Sequence, residues 1–176
     1  MNSRHASAAI IAGILIVLGV WAVAAQDKYT LKIPDGLAFS EFKGYETWQV
    51  VGLSHSDTTL NVIVANPVMV SAYAAGIPAN GKPFPDGSKS VKIQYFPMKS
   101  TEAPFNVAIP DKLKDVAFML KDSKRFSTSG GWGYGQFNYD TASDEFTPDG
   151  KGASCGFACH TRVKAKDYVF TAFGKR

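Results

Sequence analysis

An α+β fold, predominantly an antiparallel β-sheet with short helices, is predicted by three observations. Short runs rich in β-branched and aromatic residues recur along the chain, separated by turn signals rich in Gly, Pro and Asn. No segment carries a long amphipathic helical pattern, and there is no internal repeat. The helical signals are short: Asn66-Pro67 in mid-chain, and a cysteine-histidine motif near the C-terminus.

The first element is an address. Arg4 and His5 precede an apolar stretch over residues 8–25, which closes in the small residues Ala22-Val23-Ala24-Ala25 before the polar Gln26-Asp27-Lys28. That layout predicts a signal peptide over residues 1–25, cleaved near Ala24 or Ala25, and a periplasmic protein. An uncleaved anchor is the competing expectation, because the apolar run approaches bilayer length. A single domain over residues 26–176 follows.

Within it, residues 45–51 and 60–65 read as strands. Asn66 then offers an N-cap, with Pro67 at the first helical position, for a short helix to about Ala75. Three glycines and three prolines make residues 76–87 a loop. Residues 91–96 alternate, with Val91, Ile93 and Tyr95 on one face and Lys92, Gln94 and Phe96 on the other. Residues 115–120 and 132–139 are two further strands, split by a turn at 127–131. A polar loop over 140–154 leads into the cysteine motif, which is placed on a C-terminal helix.

Composition bounds the partners. The 176 residues suit one compact domain, with 45% hydrophobic and 12% aromatic content to build its core. The net charge is +4, carried by scattered lysines without a basic run, so no nucleic-acid patch is expected.

The chemistry sits in Cys155-Gly156-Phe157-Ala158-Cys159-His160, read as a haem-attachment motif of the C-x-x-C-H type. Two thiols one helical turn apart each reach a vinyl group on one porphyrin edge, and the adjacent imidazole meets the iron as a neutral donor. A zinc site would need further Cys or His ligands, and only His5 and His55 remain. A short disulfide is another use of a lone pair in an oxidising compartment; a thioredoxin-like redox pair normally opens a helix near the start of a βαβ unit, not near a C-terminus with a histidine following. The cofactor expected is one covalent haem c per chain, with His160 the metal ligand.

The opposite iron position decides function. Electron-transfer cytochromes c commonly place a methionine there. Met69, Met98 and Met119 all precede the motif in apolar or strand-like runs and read as core. His55, in a polar stretch, reads as a loop residue. An open position, suited to a small molecule, is expected; simple electron transfer is the alternative.

The ordered set Asn66-Pro67, Phe84-Pro85-Asp86-Gly87, Val91-Lys92, Lys121-Asp122-Ser123-Lys124-Arg125-Phe126, Gly131-Trp132-Gly133-Tyr134, the haem motif and Asp167-Tyr168-Val169-Phe170-Thr171 resembles the cytochrome P-460 family over residues 37–173. The resemblance implies an antiparallel β fold, a homodimer, a five-coordinate haem c and a redox partner cytochrome. It also implies two branches. Cytochromes P-460 proper join a lysine to the porphyrin edge and oxidise hydroxylamine to nitrous or nitric oxide. Cytochromes c′-beta lack that bond, cap the iron with aromatic residues and bind nitric oxide.

Lys92 falls at the cross-linking position, though Ile93 follows it where an acid stands in several relatives; Lys89 is a generic alternative. Hydroxylamine oxidation releases protons with its electrons, so a carboxylate general base is expected. Asp144, Glu145 and Asp149 lie in the loop before the motif, with Lys151 nearer the expected position. Arg125 is a candidate partner for a haem propionate. Phe84, Phe96 and Phe137 are candidates for a distal pocket, while Trp132 and Tyr134 read as packing.

Overall fold

The computed structural model describes residues 25–174. The signal peptide expected over 1–25 therefore falls, but for Ala25, outside the described residues. Among those described, no helix is long and apolar enough to cross a membrane.

Six strands form one antiparallel sheet in sequence order: β1 (Gln49–His55), β2 (Leu60–Ala65), β3 (Lys89–Lys99), β4 (Ala108–Lys121), β5 (Trp132–Asp140) and β6 (Glu145–Pro148). Helix α1 (Pro67–Ala74) intervenes between β2 and β3, and α2 (Gly152–His160) follows β6. The α+β architecture is the one the sequence predicts. Asn66 caps α1 by accepting from the Met69 amide at 3.1 Å, and its side-chain amide donates to the Gly87 carbonyl at 2.9 Å. One residue thus starts the helix and ties it to the turn that opens β3.

Each sheet face buries its own core. The N-terminal segment folds across the first, placing Phe39 and Phe42 against Phe118 and Phe137, all with 2% exposure or less. Phe42 stacks on Phe118 at 4.2 Å between centroids, and Phe39 meets Phe118 edge-on at 5.0 Å. Truncating such a residue to alanine costs about 3–5 kcal/mol. The second face is covered by α1, α2 and the C-terminal segment, over Met69, Tyr73, Met119, Trp132, Tyr134 and Val169.

The alternation of β3 decides which side chains reach this second face. Val91 is fully buried in the first core and Ile93 packs against it, so Ser90, Lys92 and Gln94 face the other way. Lys92 stands opposite Ile63 on β2 and Ala117 on β4.

Several boundaries differ from the sequence expectation. Residues 45–47 form a 3-10 turn after Gly44, whose φ of +83° redirects the chain, and the strand begins at Gln49. That strand runs through His55, which is exposed at its end rather than in a loop. β3 and β4 extend beyond the expected strands as a hairpin in which Pro97 faces Pro110; two prolines mask a strand because neither donates to a ladder. The polar loop over 140–154 contains β6, a four-residue edge strand with only Phe146 turned inward. Met98 is 41% exposed on the hairpin rather than in the core.

Candidate functional site

Helix α2 lies across β5, with Gly156 against the Tyr134 ring: a Cβ there would come within 2.7 Å of Tyr134 Cβ. Glycine at 156 is thus what lets the helix approach the sheet. Cys155 and Cys159 point away from that contact, both exposed and unpaired. Three residues separate them, not the two of C-x-x-C-H. On a helix this still leaves the thiols on one face, roughly 6 Å apart along the axis.

His160 ends α2 and is held from three sides. Its Nδ1 donates to the Tyr168 carbonyl at 2.6 Å, the Tyr134 ring lies 5.1 Å away, and Phe170 meets it edge-on at 5.0 Å. A carbonyl only accepts, so the proton is on Nδ1 and Nε2 keeps a lone pair. Burial pushes the imidazole below its ordinary value; the Tyr168 bond opposes this and the charge of Lys92 adds to it. The ring is therefore kept in the neutral form a metal ligand requires.

Lys92 and His160 line the same cavity, of about 680 Å³, with Gly52, Ile63, Tyr73, Met119 and Phe170 among its walls. Burial pushes the Lys92 amine below its ordinary value, and the charge of Asp115 is the main influence drawing it back. Lys89, the other lysine considered, lies on the opposite face, its ammonium bonded to the Glu41 carbonyl at 2.6 Å.

These residues fit a haem. An imidazole anchored at Nδ1 and free at Nε2, two free thiols on the same helix, and an adjoining cavity are the donors and the space such a group needs. Cys155, Cys159 and His160 would hold it.

The other expected site residues lie elsewhere. Arg125 is clamped to the Glu41 carboxylate and donates to the Gly36 carbonyl at 3.0 Å. It joins the turn after β4 to the N-terminal segment, and borders a different cavity with Lys151 and Phe157. Glu145 is exposed on the edge strand opposite Asp140. Asp149 accepts from the Lys151 amide at 3.1 Å and shapes the entry to α2. Asp144 accepts from the Tyr139 hydroxyl at 2.5 Å on the outer hairpin. Phe84 and Phe137 are core, and Phe96 is exposed. None of these lines the cavity of Lys92 and His160, where Phe170 and Tyr73 supply the aromatic wall.

Sequence reasoning missed Asp115. It is 1% exposed, takes hydrogen bonds from Gln94 and from Lys114 at 3.0 Å, and shares the face of Lys92. Its signal was an acid at the head of the apolar run over 116–120, in register with the polar face of β3.

No curated protein sequence matches the chain. The family model for cytochrome P460 matches residues 42–171, from the first-face core through the haem motif to the segment that covers His160. That span takes in every element of the site, and the chain belongs to the cytochrome P460 family of haem proteins.

Proposed function

We propose that this chain is an exported c-type haem protein that binds hydroxylamine and oxidises it, with Lys92 joined to the haem edge. The observation that carries this is the meeting of Lys92 and His160 on one cavity, both pushed by burial toward their neutral forms. A covalent haem supplies iron that binds the substrate and takes up its electrons. The chain's own residues do the rest. His160 presents Nε2, oriented by Tyr168. Cys155 and Cys159 fix the ring edge. Lys92 offers an amine that burial pushes toward its neutral form, and Asp115, buried on the same face of the sheet, acts on it by charge. Tyr73, Val169 and Phe170 form part of the cavity wall. A redox partner cytochrome in the periplasm would receive the electrons, and a homodimer is the expected assembly.

One observation favours a second reading, nitric oxide binding without turnover. Among the described residues no carboxylate lines the cavity itself, and Glu145 and Asp149 lie away from it. The ferrous absorption spectrum and hydroxylamine turnover with an artificial acceptor, compared between wild type and Lys92→Ala, separate the two. A long-wavelength Soret band that Lys92→Ala converts to an ordinary haem c spectrum, with loss of turnover, supports the enzyme. An ordinary spectrum in the wild type supports the gas-binding protein.

A further inference from the structure

The His160 imidazole is oriented by a backbone carbonyl, and that carbonyl belongs to a strained turn. Asp167 and Tyr168 have φ of +48° and +63°, consecutive left-handed conformations in residues that carry a Cβ. An aromatic residue adopts this conformation only where its surroundings over-determine it. Here the turn sends the chain back so that the Tyr168 carbonyl reaches a side chain eight residues earlier.

Three contacts impose it. Lys121, 4% exposed at the end of β4, donates to both carboxylate oxygens of Asp167, at 2.8 and 3.1 Å, and to the Gly130 carbonyl at 2.9 Å. Asp167 also accepts from the Phe84 amide at 2.7 Å. The Tyr168 ring then lies where a side chain at 130 would be: a Cβ on Gly130 would stand 2.2 Å from Tyr168 Cε2. Three segments distant in sequence therefore converge on a dipeptide whose visible output is one hydrogen bond to His160.

A buried ion pair is weak evidence for stability, because desolvation offsets most of its attraction. It is a good way to hold a strained backbone in one place. A carbonyl fixed against histidine Nδ1 raises the basicity of the other ring nitrogen. We propose that Lys121 and Asp167 are positioning residues that set the donor strength of His160 toward iron, through the Tyr168 carbonyl. This rests on His160 being the axial ligand.

The test uses the haem-loaded protein. The iron–histidine stretching frequency of the ferrous form and the haem midpoint potential are measured in wild type, Asp167→Asn, Lys121→Met and the double variant Lys121→Met/Asp167→Leu. The double variant removes both charges at once, the change that buried pairs tolerate best, and so keeps a folded protein in the comparison. Each variant loosens the same carbonyl, so all three should lower the stretching frequency, with Lys121→Arg restoring part of it. Charge acting through space alone would move the potential in opposite directions in the two single variants. Such opposed shifts, or an unchanged frequency in the double variant, would overturn the proposal. A wild-type ferrous spectrum lacking any iron–histidine band that His160→Gly removes would instead refute the ligand assignment on which it stands.

Discussion

Lys92 and Asp115 face the same side of the sheet on adjacent strands, one step out of register: Lys92 stands opposite Ala117, and Asp115 opposite Gln94. The offset places a buried carboxylate near a half-buried lysine without pairing them directly. The side chain of Asp115 is satisfied instead by Gln94 and Lys114. Its charge nevertheless counters the burial that depresses the amine.

Asp115→Asn should therefore make Lys92 more reactive as an amine. Removing the negative charge leaves burial less opposed, so the neutral form prevails at lower pH. Amine labelling of the haem-free chain, followed by peptide mass, should show Lys92 modified faster than in wild type at the same pH below 10.5, the ordinary value for lysine. Slower or unchanged labelling would show that the carboxylate does not act on Lys92. Asp115→Ala should in addition cost about 1–3 kcal/mol, by leaving the buried Gln94 amide without its acceptor.

The haem-free chain should lose stability as pH falls through about 6.5, the ordinary value for histidine. Burial holds folded His160 below that value. Between the two values the unfolded chain binds a proton that the folded chain refuses, so acid favours unfolding. Above 6.5 both states are neutral and the contribution is fully present. Denaturant melts across pH 5 to 8 should show this slope, and His160→Gln should flatten it. An equal slope in the variant would assign the effect to other groups.

The fold was legible where local chemistry and pattern agreed. Asn66-Pro67 announced α1, and the alternation around Lys92 sorted the two faces of β3 correctly because Val91 and Ile93 carry the apolar signal. The N-terminal cover was not legible. Phe39 and Phe42 sit in one four-residue 3-10 turn, too short to carry a periodicity, yet they fill the first core. The site was legible in its cysteine-histidine motif and, through the family resemblance, in Lys92. Cys155, Cys159 and His160 lie within six residues of sequence, whereas Asp115, Lys121 and Asp167 acquire meaning through strand register and tertiary return. Nor does composition show that Tyr168 adopts a left-handed backbone, since tyrosine ordinarily avoids it.

The three-residue spacer between the thiols leads to a prediction about attachment. Cys155 and Cys159 share one face of α2 and both are exposed, so each should form its own thioether. Cys155→Ala and Cys159→Ala should each retain haem staining on a denaturing gel at reduced yield, and only the double variant should lose it. Intact mass should equal the chain plus one haem in all but the last. Complete loss in one single variant, with full retention in the other, would mean the longer spacer leaves one thiol unused.

The final prediction concerns Met119, the methionine that shares a cavity with His160. A thioether is an iron ligand in electron-transfer cytochromes, and there it raises the reduction potential. Met119 has a different local situation. It lies mid-strand on β4, between Ser90 and Tyr134, 8% exposed and packed with Trp132 and Tyr134. Its side chain is part of the cavity floor, and lifting it to an iron would open a void in that core. The iron should therefore be five-coordinate and high-spin in both redox states. Met119→Leu keeps the volume and should leave the spectra unchanged at a cost under about 1.5 kcal/mol. Met119→Ala should cost about 2–5 kcal/mol through the cavity it leaves. A six-coordinate low-spin spectrum in the wild type, abolished by Met119→Leu, would make the protein an electron carrier. Hydroxylamine and nitric oxide would then have no vacant position to enter, and the interest of Lys92 would reduce to packing.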